Sequence, residues 1–196
     1  TRDHRRQWRD CLYVYPVISR RSKGLSIGVN LNPDKRCNFS CMYCQINRRI
    51  RRGLDRVDLA VLRRELRYAL LEATSGGLWE ESRFEKTPEA LRRINDIAFS
   101  GDGEPTCLGN FDEAVKAAAL ARSEFGRRDI KIVVITNASQ LDRPQVRRAL
   151  PILDANRGEI WAKLDAGTEE FFQRVNHPYP VVTLRHILEN IRRAAA

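Results

Sequence analysis

What the chain lacks narrows it first. No uninterrupted apolar run approaches the roughly 20 residues that a membrane-spanning helix needs. The start of the chain, where Arg2, Arg5, Arg6 and Arg9 surround Trp8, has no apolar segment of the kind that directs secretion. These absences point to the cytosol, with no membrane partner. Cysteine is scarce: there are five, an odd number, and three fall within eight positions. That pattern argues against a disulfide framework and suits metal binding in a reducing compartment. Acidic residues are in deficit, 25 Asp and Glu against 35 Lys and Arg, for a formal charge of +10. Much of the excess lies in runs, Arg5-Arg6, Arg20-Arg21-Ser22-Lys23 and Arg48-Arg49-Ile50-Arg51-Arg52. Such runs attract polyanions, RNA among them, by counterion release. A solvated arginine-rich surface is the other reading.

The 196 residues suffice for one substantial core. The stretch on which the rest is organised holds Cys37, Cys41 and Cys44, whose C-x3-C-x2-C spacing lets three thiolates converge from one tight loop on a single metal centre. Thiolates are soft ligands that select zinc, copper(I) or iron-sulfur clusters. A structural zinc site is usually closed by four protein ligands, and no fourth Cys or His lies nearby in sequence. In a [4Fe-4S] cluster, three local thiolates leave one iron open to bind something else. Two other readings stay open: a zinc site closed by a remote Cys11, Cys107, His4 or His177, and a C-x-x-C dithiol at Cys41 and Cys44.

Along the chain, residues 1–24 read as a basic N-terminal extension, with a strand or cap at 11–18. Residues 25–31 alternate as a strand and are broken by Asn32-Pro33-Asp34, so the cysteine loop follows a strand's carboxyl end. Asp58 is placed to cap a helix that stops near Gly76-Gly77. Residues 78–94 read as an inserted segment whose Trp79 and Phe84 dock on the core. Strands follow at 96–100, at 130–135, a near-continuous apolar run that marks a strand covered on both faces, and at 159–167. Helices are expected near 112–125, 144–153, after Thr168, and at 184–193. The alternation predicts an α/β chain with a parallel sheet.

The cysteine loop, with the aromatic Tyr43 just before its last cysteine, resembles that of the radical S-adenosylmethionine (radical SAM) superfamily. Ser100-Gly101-Asp102-Gly103-Glu104-Pro105-Thr106, Thr136-Asn137-Ala138 and Lys163-Leu164-Asp165-Ala166-Gly167 extend the resemblance over roughly residues 19 to 180. Within the superfamily it looks like the branch of wybutosine-synthesis, tRNA-modifying Fe-S oxidoreductases, although the cysteines of a second cluster are absent. The resemblance implies a partial (βα) barrel over residues 25–196, whose last strands are expected outside this chain. It implies a [4Fe-4S] cluster on Cys37, Cys41 and Cys44 that is fed by an external one-electron donor. The open iron would bind S-adenosylmethionine, and reductive cleavage would yield a 5'-deoxyadenosyl radical that abstracts hydrogen from a substrate. Tyr43 would lie near the adenine. Gly101, Asp102, Gly103 and Glu104 would form the segment that holds the amino group, with Asp102 standing where the family pattern has glycine. Asn137 and Asp165 would supply hydrogen bonds. Lys163 would neighbour an anionic group or, on a sharper reading, act as a catalytic amine forming a Schiff base; an ion pair with Glu104 or Asp165 is the plainer role. Cys11 and Cys107 read as small buried residues. Two further function classes stay open, an activase or maturase acting on a protein or small molecule, and a zinc-stabilised binding domain.

Overall fold

Residues 131–136 show why the fold is layered. Ile132, Val133 and Val134 are all buried, so this strand is covered on both faces. It is the fourth of five strands in the computed structural model, which describes residues 8–47, 53, 55–179 and 182–196. His4, Arg5-Arg6, the run from Arg48 to Arg52 and Pro180 lie outside the described residues. The strands are β1 (Val14–Ser19), β2 (Gly24–Val29), β3 (Ile94–Phe99), β4 (Lys131–Thr136) and β5 (Gly158–Ala162), side by side in chain order. β1 and β2 form an antiparallel pair, and every later pairing is parallel. Parallel neighbours need crossovers. These run through α1 (Leu59–Ser75), α2 (Phe111–Glu124) and α3 (Pro144–Asp154), with α4 (Glu169–Asn176) and α5 (Leu184–Ala194) after β5. The result is an unclosed, mostly parallel sheet flanked by helices, a partial (βα) barrel.

The register sorts residues by face. Ile27, Ile97 and Ile132 stand in one row and Val29, Phe99 and Val134 in the next, all buried on the same face. Phe99 meets Phe111 of α2 edge to face, with ring centroids 5.9 Å apart. The opposite face is polar or small, with Ser26, Asp96 and Lys131 in one row and Gly28, Ala98 and Val133 in the next. A Cβ on Gly28 would stand 2.4 Å from Tyr15, so glycine there is what lets the tyrosine ring lie flat on the sheet. Ser26 hydrogen-bonds the buried Asp96, and Lys131 pairs with Glu159 on the same face. Burial raises the Asp96 carboxyl above the usual carboxylate range.

Local chemistry sets the ends of the elements. Asp58 caps α1 by accepting from the main-chain N–H of Ala60 at 2.8 Å and Val61 at 3.1 Å, and Gly76 ends the helix at φ +99°. The buried Glu65 of α1 accepts from Leu12 N and Tyr13 N at 2.8 Å and from Val14 N at 3.1 Å, which ties the approach to β1 onto the core. Between α1 and β3, Phe84 is buried and meets Trp79 edge to face at 6.5 Å. β5 is shorter than its sequence pattern suggests. Its partner β4 ends at Thr136, whose carbonyl accepts a last bond from Lys163 N at 2.8 Å, and among the described residues the strand pairing stops there.

Candidate active site

Because β2 to β5 run in the same direction, the residues that follow them arrive at one edge of the sheet. These are the cysteine loop after β2, residues 100–106 after β3, 137–139 after β4 and 163–165 after β5. Ligands of open α/β sheets bind outside this carboxyl edge. Here the segments surround an open cavity of about 430 Å³, onto which Cys37, Cys41, Cys44, Tyr43, Gly101, Gly103, Glu104, Asn137 and Lys163 all open. Asp102 and Asp165 do not line it, but each accepts a hydrogen bond from a neighbour, Asn30 and Tyr43 respectively.

The wall made by β3 and β4 is tied together by Glu104. It is 3% exposed, and its carboxylate accepts from Thr106 N at 3.2 Å, Thr106 Oγ1 and Thr136 Oγ1 at 2.6 Å each, and Asn137 N at 2.8 Å. Burial raises its pKa, and the four donors oppose that rise. Asn137 turns its side chain to Asn38 at 3.0 Å and to Ser139 at 2.7 Å, which joins β4 to the cysteine loop. Gly103 sits where a Cβ would fall 1.9 Å from the Arg36 carbonyl oxygen, and at Gly101 one would fall 2.2 Å from Asn30 Oδ1. The glycines thus serve the close approach of this turn to the cysteine loop. Asp102 accepts from Asn30 Nδ2 at 2.9 Å, so the residue that departs from the family pattern fastens β3 to the end of β2.

The cysteine loop docks on the carboxyl end of α4. Ser40 N donates to the carbonyls of Asn176 and His177, at 3.2 and 3.1 Å, and Met42 N to that of Val175 at 2.9 Å. The loop thereby satisfies carbonyls that a helix end leaves without partners. Phe39 bridges to Pro178 and packs edge-on against Phe172, with centroids 5.7 Å apart. The stiff His177-Pro178 step, with His177 in the left-handed region at φ 41°, is therefore part of the loop's support. Asn176, which the sequence reading missed, is buried beside Cys41 and Tyr43. Its only local signal is its place at a helix end just before that step.

Tyr43 is 48% exposed, and its hydroxyl donates to Asp165. Burial of the hydroxyl end and the carboxylate partner raise its pKa. The Lys163 ammonium lies 5.9 Å from the Tyr43 ring centroid, and among the described residues it makes no ion pair with Glu104 or Asp165. Glu104 is taken up by three donors on Oε1 and one on Oε2, and Asp165 Oδ2 takes the Tyr43 hydroxyl. Cys107 and Cys11 are both buried, with Cys107 Sγ 3.6 Å from Asn38 Oδ1.

Among the described residues, no group of three or more His, Cys, Asp or Glu side chains is gathered closely enough to hold a metal ion as the chain stands. The donor set nonetheless suits a soft metal centre. Cys37, Cys41 and Cys44 are soft ligands, none is in a disulfide, and all three open on one cavity. Among the described residues no helix is long and apolar enough to cross a membrane.

A partial (βα) barrel with three thiols at the carboxyl edge of its strands defines a class, and comparison with known proteins gives it a family. The radical SAM superfamily model matches residues 31–196, and the chain belongs to that superfamily. A UPF0026 protein of Methanocaldococcus jannaschii is 30% identical over 181 residues, covering 90% of this chain and 47% of that protein. A UPF0026 protein of Helicobacter pylori is 29% identical over 181 residues, covering 91% and 50%. The chain thus spans about half the length of these relatives. The solved structure of TYW1 with a lysine-pyruvate adduct bound matches at 18% identity and a TM-score of 0.45, covering 88% of this chain and 50% of that one.

Proposed function

We propose that the chain is the cofactor-binding core of a radical SAM enzyme. Cys37, Cys41 and Cys44 hold a [4Fe-4S] cluster, S-adenosylmethionine occupies the cavity beside it, and a tRNA or another nucleotide is the substrate. The observation that carries this reading is the meeting of three thiols with four strand ends around one cavity. When bound, the cofactors would supply one-electron cleavage of the sulfonium, fed by an external donor, and with it the chemistry that removes hydrogen from the substrate.

The chain's own residues bind and orient. Tyr43, turned by its bond to Asp165, offers a ring face to an adenine. Gly101 and Gly103 leave main-chain groups as the hydrogen-bonding surface where the ammonium of the methionine part would lie. Glu104 and Asp102 act one step back by holding that surface rigid. Asn137 acts likewise, by linking β4 to the loop through Asn38. Lys163, without a carboxylate partner among the described residues, is the cation available to an anionic group of cofactor or substrate. The nucleotide substrate is supported by the basic runs, Arg20-Arg21-Ser22-Lys23 among them.

Anaerobic reconstitution with iron and sulfide tests the metal assignment. The reading expects about four irons and four acid-labile sulfides per chain, lost in Cys37→Ala. One zinc without sulfide contradicts it. The substrate class is tested separately: tRNA should bind and be released steeply by salt, and no binding at low salt excludes that class.

A further inference from the structure

We propose that Asn176 is a positioning residue that tunes the cluster by donating an N–H to the sulfur of Cys41. The inference rests on the reading of the site above and adds to it a residue that belongs neither to the cysteine loop nor to any strand end.

Asn176 is the last residue of α4, 3% exposed, and lines the cavity. Its Nδ2 lies 3.5 Å from Cys41 Sγ and 3.3 Å from the Tyr43 hydroxyl oxygen. The chemistry of these neighbours decides which end of the amide faces them. Tyr43 commits its proton to Asp165, so its oxygen accepts from Asn176. A metal-bound thiolate can only accept. Both neighbours therefore call for the NH2 end. The Oδ1 atom is turned away, buried, with no hydrogen-bond partner among the described residues. An orphaned buried carbonyl is unfavourable, so the contacts of the NH2 end are the ones that hold the side chain in this orientation.

The backbone holds the donor in place. The Val175, Asn176 and His177 carbonyls accept from Ser40 N and Met42 N, the residues on either side of Cys41. The side chain and the loop it serves are thus fixed to one helix end. Hydrogen bonds to cluster sulfurs are one of the determinants of reduction potential. A donor beside a thiolate favours the more negative, reduced state, so Asn176 should raise the potential.

The test compares wild type, Asn176→Leu and Asn176→Asp. Leu removes the donor at similar volume, and Asp replaces the donor by a charged acceptor at nearly the same shape. Melting of each apo chain controls for folding, and if the Leu variant does not fold the Asp variant decides. The readout is an anaerobic redox titration followed by EPR of the reduced cluster. The midpoint should fall in Leu and fall further in Asp, with the Asp variant losing about tenfold in the reduced-to-oxidised ratio at the wild-type midpoint, or about 59 mV. Unchanged midpoints in folded, fully loaded variants overturn the inference and leave the assignment of the site standing. Folded variants that load no cluster replace tuning with a role in assembly. A wild-type chain that loads none overturns the site assignment and the inference together.

Discussion

The two sides of the cavity are built differently. On the β3 and β4 side, Glu104 is buried and its carboxylate is filled by Thr106, Thr136 and Asn137, while Gly101 and Gly103 are in tight contact with the cysteine loop and its approach. On the other side, Tyr43, Lys163 and Asp165 are exposed, and the three thiols are only partly covered. The first wall is complete as folded. The second presents its chemistry-bearing groups to whatever enters. Pre-organisation on one side and exposed chemistry-bearing groups on the other suit a site in which the protein fixes orientation and a bound group does the reaction.

The comparison breaks first at Glu104. Replacing it with Ala leaves the buried Thr106 and Thr136 hydroxyls and the Asn137 N–H without their acceptor, and should cost about 3 kcal/mol or more in a denaturant titration of the apo chain. A loss below about 1 kcal/mol would mean that the wall is not held by this carboxylate.

Gly103→Ala should come next. Its Cβ would meet the Arg36 main-chain carbonyl at 1.9 Å, where no flexible side chain can give way, and a loss of about 2 to 3 kcal/mol is expected. Unchanged melting would show that the turn and the loop are not tightly apposed.

The cysteines sharpen the contrast. Burial, with Glu65 adding to it, pushes the Cys11 thiol up to about 11, and burial, with Glu104 adding to it, pushes Cys107 up to about 12. A higher thiol pKa means less reactive thiolate at a given pH, about one part in a thousand or less at pH 8 for these two. Iodoacetamide at pH 8 should therefore label Cys37, Cys41 and Cys44 well before Cys11 and Cys107. The latter two should respond only near pH 11 or after unfolding. Equal labelling of all five in the native chain would remove the distinction.

The smallest effect on stability belongs to Lys163. Lys163→Met should change melting by no more than about 0.5 kcal/mol, because among the described residues Lys163 makes no ion pair that would be lost. Any effect should appear in binding of S-adenosylmethionine or substrate, measured by titration. A large loss of stability would instead make Lys163 structural.

The parts of this architecture that were legible in the sequence are those set by local chemistry. Asp58 and Gly76 bracket α1 as cap and left-handed stop, Ile132-Val133-Val134 reads as a doubly covered strand, and the cysteine spacing announces its own loop. The rest depends on pairings that no short window contains. Tyr43 meets Asp165 across 122 positions and Asn176 meets Cys41 across 135. The glycines of residues 100–106 read as a ligand-binding turn, but their strictest requirement comes from Asn30 and Arg36 on the neighbouring segment. An ion pair was a natural expectation for Lys163, yet Glu104 is filled by hydroxyl and main-chain donors that only the fold brings to it. The end of β5 was overestimated because its pattern continues past the point where its partner stops.

The most direct test of the central claim is chemical. The chain, reconstituted anaerobically and reduced with dithionite, is given S-adenosylmethionine, and 5'-deoxyadenosine is measured against Cys41→Ala. The account predicts 5'-deoxyadenosine from the wild type and none from the variant. A wild-type chain that carries its full cluster and leaves S-adenosylmethionine intact contradicts it.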